Sequence, residues 1–327
     1  MVRMSIGRKR ISAGSVTQRP PYQLQRIVNQ PPENVPETVP ETVLRQLSSL
    51  GIGPETDDVK MQRALVQPAR QERYEVVRHL LQNGIDPNCK DSHGWTALHR
   101  AADRGCRDIT QLLLDHGAEV DVPRLNGWTA LHYAANRGYD KIVSLLINRG
   151  ASIKVRTSKQ RSPLDLAASE GHSAVVLLLI HHGADLEATD DTQRTPLLKA
   201  ASHQHEDLVK LLLNMGAKEN ATDDRGCTPL HYAAGRDNVQ IARFLLRYRA
   251  DIEAKNNTGY TPLVYAAQEG SFSVVQELLL YGADPHSVQI PDLKGVWKRT
   301  DRPSNSDIII DTIVDWQKGR GLRSLRK

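Results

Sequence analysis

Hydrophobic and polar positions recur along this chain with one fixed period. The hexapeptide GWTALH at 94–99 returns at 127–132, and RSPLDL (161–166), RTPLLK (194–199), CTPLHY (227–232) and YTPLVY (260–265) follow in the same register. Their hydroxyl residues, Thr96, Thr129, Ser162, Thr195, Thr228 and Thr261, stand 33 residues apart. An earlier, degraded copy fits too, with Leu65 placed 33 before Leu98 and YEVVRHLLQNGIDPN at 74–88 as its second half. A period of this length marks a stack of small supersecondary units that bury their apolar faces on one another.

Each unit predicts two short helices. Thr or Ser is a good N-cap, and proline at 163, 196, 229 and 262 suits the first helical position, whose N–H has no intrahelical partner. Alanine pairs such as 134–135 and 233–234 keep the first helix thin. The second carries an apolar stripe, as in Ile142, Val143, Leu145, Leu146 and Ile147. Glycine at 84, 117, 150, 183, 216 and 282 then ends it with a left-handed cap. Arg249 occupies the equivalent place in the sixth unit, which is therefore expected to end differently. Gln160 and Gln193 replace the turn glycine seen at 94, 127, 226 and 259, predicting reshaped or strained tips in the fourth and fifth units.

These residues resemble the ankyrin-repeat family, whose D-x-x-G-x-T-P-L-H-x-A-A and L-L-x-x-G-A-D pattern they match over 58–288, or 231 of 327 residues. The resemblance implies an all-α ankyrin-repeat solenoid, built of helix-turn-helix units with β-hairpin tips. Seven units are expected at 58–90, 91–123, 124–156, 157–189, 190–222, 223–255 and 256–288, the first a degenerate cap. It also assigns His99, His132 and His231 a structural hydrogen bond between tip and helix. Partners would meet the tips and the inner end of each first helix. On this sequence that surface is Trp95, Arg104, Trp128, Arg137, Arg161, Arg194, Arg225, Arg236 and Tyr260, rich in the residue types of interface hot spots. Trp95 and Trp128 also have a purely structural explanation, packing on the next tip. Reversing Arg161 and Arg194 together to glutamate is expected to abolish binding with helical content unchanged.

Composition changes the picture at the ends. Of the net charge of +5, residues 1–57 hold +2 and 289–327 hold +4, which leaves the repeats at −1. A nucleic-acid-binding reading would have to rest on the flanks. Residues 1–57 include PENVPETVPETV at 32–43, which predicts polyproline-like disorder, then LRQLSSLGI at 44–52, a short amphipathic helix. At 289–327 an irregular loop with Trp297 precedes SDIIIDTIVDWQKG (306–319), a helix capped by Ser306 or Asn305 that closes the stack through Ile309, Ile310, Ile313 and Trp316. RGLRSLRK is read as a solvated tail. RKRIS at 8–12 makes Ser12 a candidate phosphorylation site and a minimal nuclear-import patch.

Candidate chemistry is sparse. No phosphate-binding glycine loop, nucleophile elbow or H-E-x-x-H occurs. Cys89, Cys106 and Cys227 offer neither a disulfide framework nor zinc spacing, and point to a reducing compartment. His203, His205 and Glu206, like His181–His182, do not form a tetrahedral metal set by themselves. No apolar run approaches the ~18–20 residues of a membrane span, and MVRMSIGRKR lacks an apolar segment after its basic residues. The expectation is a monomeric adaptor, scaffold or regulatory subunit, non-enzymatic and without cofactor, in cytoplasm or nucleus. It would bind one or more proteins and neither nucleic acid nor membrane; the alternative is a nuclear transcription or chromatin regulator that uses the basic flanks.

Overall fold

The structure is a computed structural model that describes residues 41–49, 64–291, 293–294 and 306–320. The chain divides into two units, residues 1–56 and 57–327. In the first, the described element is helix α1 (Glu41–Ser49), begun by an acidic residue that favours a helix N-terminus and pairs with Arg45 one turn on. The last Pro-Glu-Thr-Val step thus contributes Glu41, Thr42 and Val43 to a helix rather than to an extended segment. Ser12 with its basic patch, the proline-rich 32–40, Trp297 and 321–327 lie outside the described residues.

The second unit is a stack of seven helix pairs. They are α2 (Val66–Arg70) and α3 (Tyr74–Gln82), α4 (Ala97–Arg104) and α5 (Arg107–Asp115), α6 (Ala130–Arg137) and α7 (Asp140–Asn148), and α8 (Pro163–Ser169) and α9 (Ser173–His181). Then come α10 (Pro196–Ser202) and α11 (Glu206–Asn214), α12 (Pro229–Gly235) and α13 (Val239–Arg247), and α14 (Pro262–Glu269) and α15 (Phe272–Leu280). Alanine pairs on the first helices are fully buried, letting neighbouring units approach, and Val143, Val176, Val209 and Val275 on the second helices are equally dry. Helix α16 (Ser306–Gln317) closes the stack with Ile309 and Ile313 buried, while Gln317 donates to the carbonyls of Pro285 (2.9 Å) and Val288 (3.2 Å). Ser306 is its first helical residue rather than its cap, and Ile310 and Trp316 are half-buried.

Among the described residues there is no strand. The tips are tight turns, each spanned by one N–H···O bond between its first and fifth residues, such as Asp91 to Trp95 (2.9 Å), Arg124 to Trp128 (2.8 Å) and Asn256 to Tyr260 (3.0 Å), over a tighter bond such as Gly94 N–H to Asp91 O (3.0 Å). One spanning bond per turn is too little for a ladder. Adjacent tips are tied by Ser158 N–H to Asn126 O, Asp224 N–H to Thr192 O and Asn257 N–H to Arg225 O, all between 3.0 and 3.1 Å.

Where glycine was missing, the backbone kept its path and accepted the strain. Arg249 has φ 65°, and its N–H still bonds Leu246 O while Ala250 N–H bonds Leu245 O, as around Gly150 and Gly216. The sixth unit therefore ends like the others, at a cost of roughly 1 kcal/mol. Gln160 (φ 54°) and Gln193 (φ 58°) likewise hold unreshaped but strained turns. Asp237 (φ 52°) stands where Gly105, Gly138 and Gly270 end the first helix, and has a use of its own. Its carboxylate accepts from Val274 N–H (2.9 Å) and Ser273 Oγ (3.0 Å), capping α15 of the next unit.

A second set of rungs runs along the far edge. The side chains of Asn88, Asp121, Glu187, Asn220 and Glu253 each accept a backbone N–H 31 residues on, from Glu119, Ser152, Lys218, Asp251 and Asp284. In the third unit this place belongs to Lys154, which has no acceptor to offer.

Candidate protein-binding surface

Four of the tips are braced by the side chain of their first residue. Asp91 Oδ1 accepts from the N–H groups of His93 and Trp95, Asp190 Oδ1 from Thr192 and Arg194, Asp223 Oδ1 from Arg225 and Cys227, and Asn256 Oδ1 from Thr258 and Tyr260. Behind three of the tips a threonine–histidine pair, Thr96–His99, Thr129–His132 and Thr228–His231, ties turn to helix. His99 Nδ1 accepts from Thr96 N–H (3.1 Å), and its Nε2–H donates across the interface to Val122 O (2.9 Å) and Trp128 O (3.2 Å). His132 reaches Arg161 O and His231 reaches Tyr260 O in the same way. Burial holds the imidazoles of His99 and His132 down to about 4, and that of His231 below its ordinary value, so all three are neutral girders.

On this scaffold the expected residues divide. Trp95 and Trp128 both pack on Tyr133 at 4.8 Å between centroids, with the guanidinium of Arg100 3.6 Å and that of Arg124 4.6 Å from the Trp95 ring. The tryptophans are thus largely spent inside the molecule, and Leu125, 85% exposed, is the apolar group the tip offers outward. Arg161 and Tyr260 are half-buried, lending their carbonyls to His132 and His231. Arg225 leans on Tyr232 Oη (2.8 Å), which itself donates to Asp223.

Arg194 is structural as well. Its Nε is buried 3.9 Å from Asp223, whose side chain is fully buried, and its guanidinium lies 5.6 Å from the Tyr232 ring. Glutamate at 194 would set two carboxylates together in a dry place, so the expected preservation of fold in the double reversal of Arg161 and Arg194 does not follow.

What remains open is the inner end of the first helices. Arg104, Arg137, Glu170, His203, Arg236 and Glu269 occupy one register position and are all exposed. Arg137 pairs with Asp103 at 2.9 Å. His203 bonds Lys199 O, and His205 Nε2–H donates to Ser169 O (2.8 Å), so these imidazoles are engaged with backbone. Among the described residues no group of three or more His, Cys, Asp or Glu is placed to hold a metal. Burial pushes the Cys89 and Cys106 thiols up to about 11, far from a nucleophilic thiolate at neutral pH.

Sequence reasoning missed one polar cluster. Asp165 takes the histidine slot of the fourth unit: Oδ2 accepts from Ser162 N–H (2.8 Å) and Oγ (2.7 Å), copying Nδ1. A carboxylate cannot donate onward as Nε2–H does. Instead Lys199 of the next unit, 3% exposed, lies 3.7 Å from Asp165 Oδ1 and 2.7 Å from Asp190 Oδ2, and Arg156 lies 3.7 Å from Asp165 Oδ2. Burial raises the Asp165 carboxyl despite these cations; burial works the same way on Asp190, but hydrogen bonds from Lys199, Thr192 and Arg194 N–H outweigh it and hold that carboxyl at about 2. The signal was visible as an acid at 165, in a slot that holds histidine at 99, 132 and 231, and a lysine at 199, in a slot that holds arginine at 100 and tyrosine at 133, 232 and 265.

The family model for ankyrin repeats matches residues 40–124, 65–157, 120–190, 154–223 and 197–289 in overlapping stretches. The chain belongs to the ankyrin-repeat family. The match begins at residue 40, ahead of the expected 58. Comparison with curated protein sequences returned no match. Among solved structures, this ankyrin-repeat chain is similar to the human ASB11 ankyrin repeat domain, with a TM-score of 0.62 and 29% identity over 68% of this chain and 98% of that one. Ankyrin-repeat domains are typically non-catalytic modules that mediate protein–protein interaction. No helix among the described residues is long and apolar enough to cross a membrane.

Proposed function

We propose that this ankyrin-repeat chain is a non-enzymatic adaptor or regulatory subunit, gripping a partner protein with its tips and the inner ends of its first helices. The observation that carries the reading is the exposed column at Arg104, Arg137, Glu170, His203, Arg236 and Glu269, held in register by cross-repeat bonds. Such a surface is preorganised, so little ordering is lost on binding. Arg104 and Arg236 favour acidic residues in the partner, with Arg225 and Leu125 at the rim of the footprint. Three unpaired cysteines support a cytoplasmic or nuclear setting. Ser12, in its basic patch, is the proposed point of phosphorylation.

The test is proximity labelling with the wild type beside Arg104→Glu combined with Arg236→Glu. Partners specific to this surface disappear in the double variant while far-UV circular dichroism stays the same. Retention of every partner refutes the assigned face.

A further inference from the structure

The closing residue of the second helix tells the repeats apart. In register it is Asn83, His116, Arg149, His182, Met215, Tyr248 and Tyr281. In the first three units the polar side chain works internally: Asn83 Nδ2 donates to His79 O (2.7 Å), His116 Nδ1 lies 2.9 Å from Leu112 O, and Arg149 pairs with Asp115 (2.7 Å). In the last three units an apolar or aromatic side chain replaces it and stands in water, Met215 at 37%, Tyr248 at 39% and Tyr281 at 44% exposure, with Leu280 beside it at 48%. The Tyr248 hydroxyl is tethered to Asn214, which fixes the ring along the edge.

Two exposed cations flank the central tyrosine. Arg247 ends α13, and Arg249 follows at φ 65°, in a place where every other unit has glycine. Neighbouring acids are taken, Glu277 by Arg243 and the Asp251 carboxylate by Glu253 N–H. Neither Arg247 nor Arg249 has an ion pair among the described residues. A strained backbone that keeps a charged side chain with no internal partner points to an external one.

We propose that Met215, Tyr248, Tyr281 and Leu280, with Arg247 and Arg249, form a second docking edge for a short acidic segment of a partner protein bearing aromatic or aliphatic side chains. Tyrosine and arginine are the residue types that anchor interfaces, and the register sets the anchors one repeat apart. A second copy of this chain is a poor occupant. A stable dimer buries about 800 Å² per partner, more than a single file of side chains supplies, and apposed copies would bring Arg247 and Arg249 against their own kind. The edge is separate from the inner column of Arg104 and Arg236, so either can fail alone.

The test uses the full chain and arrays of short synthetic peptides carrying leucine or phenylalanine beside glutamate, matched with arrays in which lysine replaces glutamate. The wild type retains the glutamate set. Tyr248→Ser with Tyr281→Ser weakens that binding about tenfold, and Arg249→Gly weakens it severalfold while raising the melting temperature, so lost binding cannot be lost folding. Arg104→Glu with Arg236→Glu leaves it unchanged. The proposal is overturned if the glutamate and lysine arrays bind alike, if the edge variants bind as the wild type does, or if phosphatidylserine vesicles rather than peptides are retained.

Discussion

Lys199→Met removes one methylene-lined ammonium and leaves two carboxylates behind. The Nζ sits 2.7 Å from Asp190 and 3.7 Å from Asp165, and Asp165 is wholly buried with Oδ1 lacking any hydrogen bond. Deleting one partner of a buried pair costs about 3–5 kcal/mol, because the surviving charge keeps its desolvation penalty without the attraction. For an array of this size each kcal/mol moves the melting temperature by roughly 2–4 °C, so a fall of roughly 6–20 °C is expected. Urea titration followed by circular dichroism measures it. The decisive comparison adds Asp165→His with Lys199→Tyr, which rebuilds the cross-unit pattern of His99 and Tyr133. Restoring the donor-capable ring removes the orphaned charge, so the double variant regains most of what Lys199→Met loses. A loss below about 1 kcal/mol for Lys199→Met, or a double variant no better than the single one, refutes the charge argument.

Acid should loosen the same layer. The folded-state values of His99 and His132, near 4, lie below the ordinary histidine value of 6.5, so the unfolded chain binds protons first; their stabilisation is complete above about 6.5 and is lost as pH falls through about 4. Urea midpoints that do not fall across that window contradict it. Arg249→Gly relieves a left-handed arginine and should raise stability by about 1 kcal/mol, less the added freedom of the unfolded glycine, as thermal melts will record. Gly226→Ala should cost more than Gly150→Ala. A Cβ at 226 would lie 2.9 Å from the Asn257 backbone nitrogen and break the tie between tips, whereas at 150 it meets nothing within 4 Å, so equal melting temperatures would refute the distinction. Asp237→Ala should cost about 1 kcal/mol through the lost cap on α15, read as earlier amide exchange in Ser273–Val275.

The repeat period, the two helices per unit, their glycine ends and the closing α16 were legible because each follows from local residue chemistry at a fixed spacing. The tips were less so: GWTALH signals a turn, but whether it widens into a strand depends on how many bonds the neighbour contributes. At Arg249, Gln160 and Gln193 local preference argued for a changed path, and the packing of adjacent units overrode it. The binding surface was legible as a set of positions, not as a set of free side chains. Arg161 and Arg194 are placed by register, but only the neighbouring unit shows that Arg194 lies against Asp223 and that Tyr133 takes up both tryptophans. Lys199 was overlooked because its partners lie in two different units.

Lys154 interrupts the column of side-chain rungs in the middle of the array. At that join Arg156, two residues on, reaches across instead, its guanidinium donating to Thr189 O (3.0 Å), while the tips are fastened through Ser158 and Asn126. A short rung is thus exchanged for a long side chain with several rotatable bonds. The middle of the surface from Arg104 to Glu269 thus hangs on the reach of one arginine side chain, where every other join in the stack has a side-chain rung of its own.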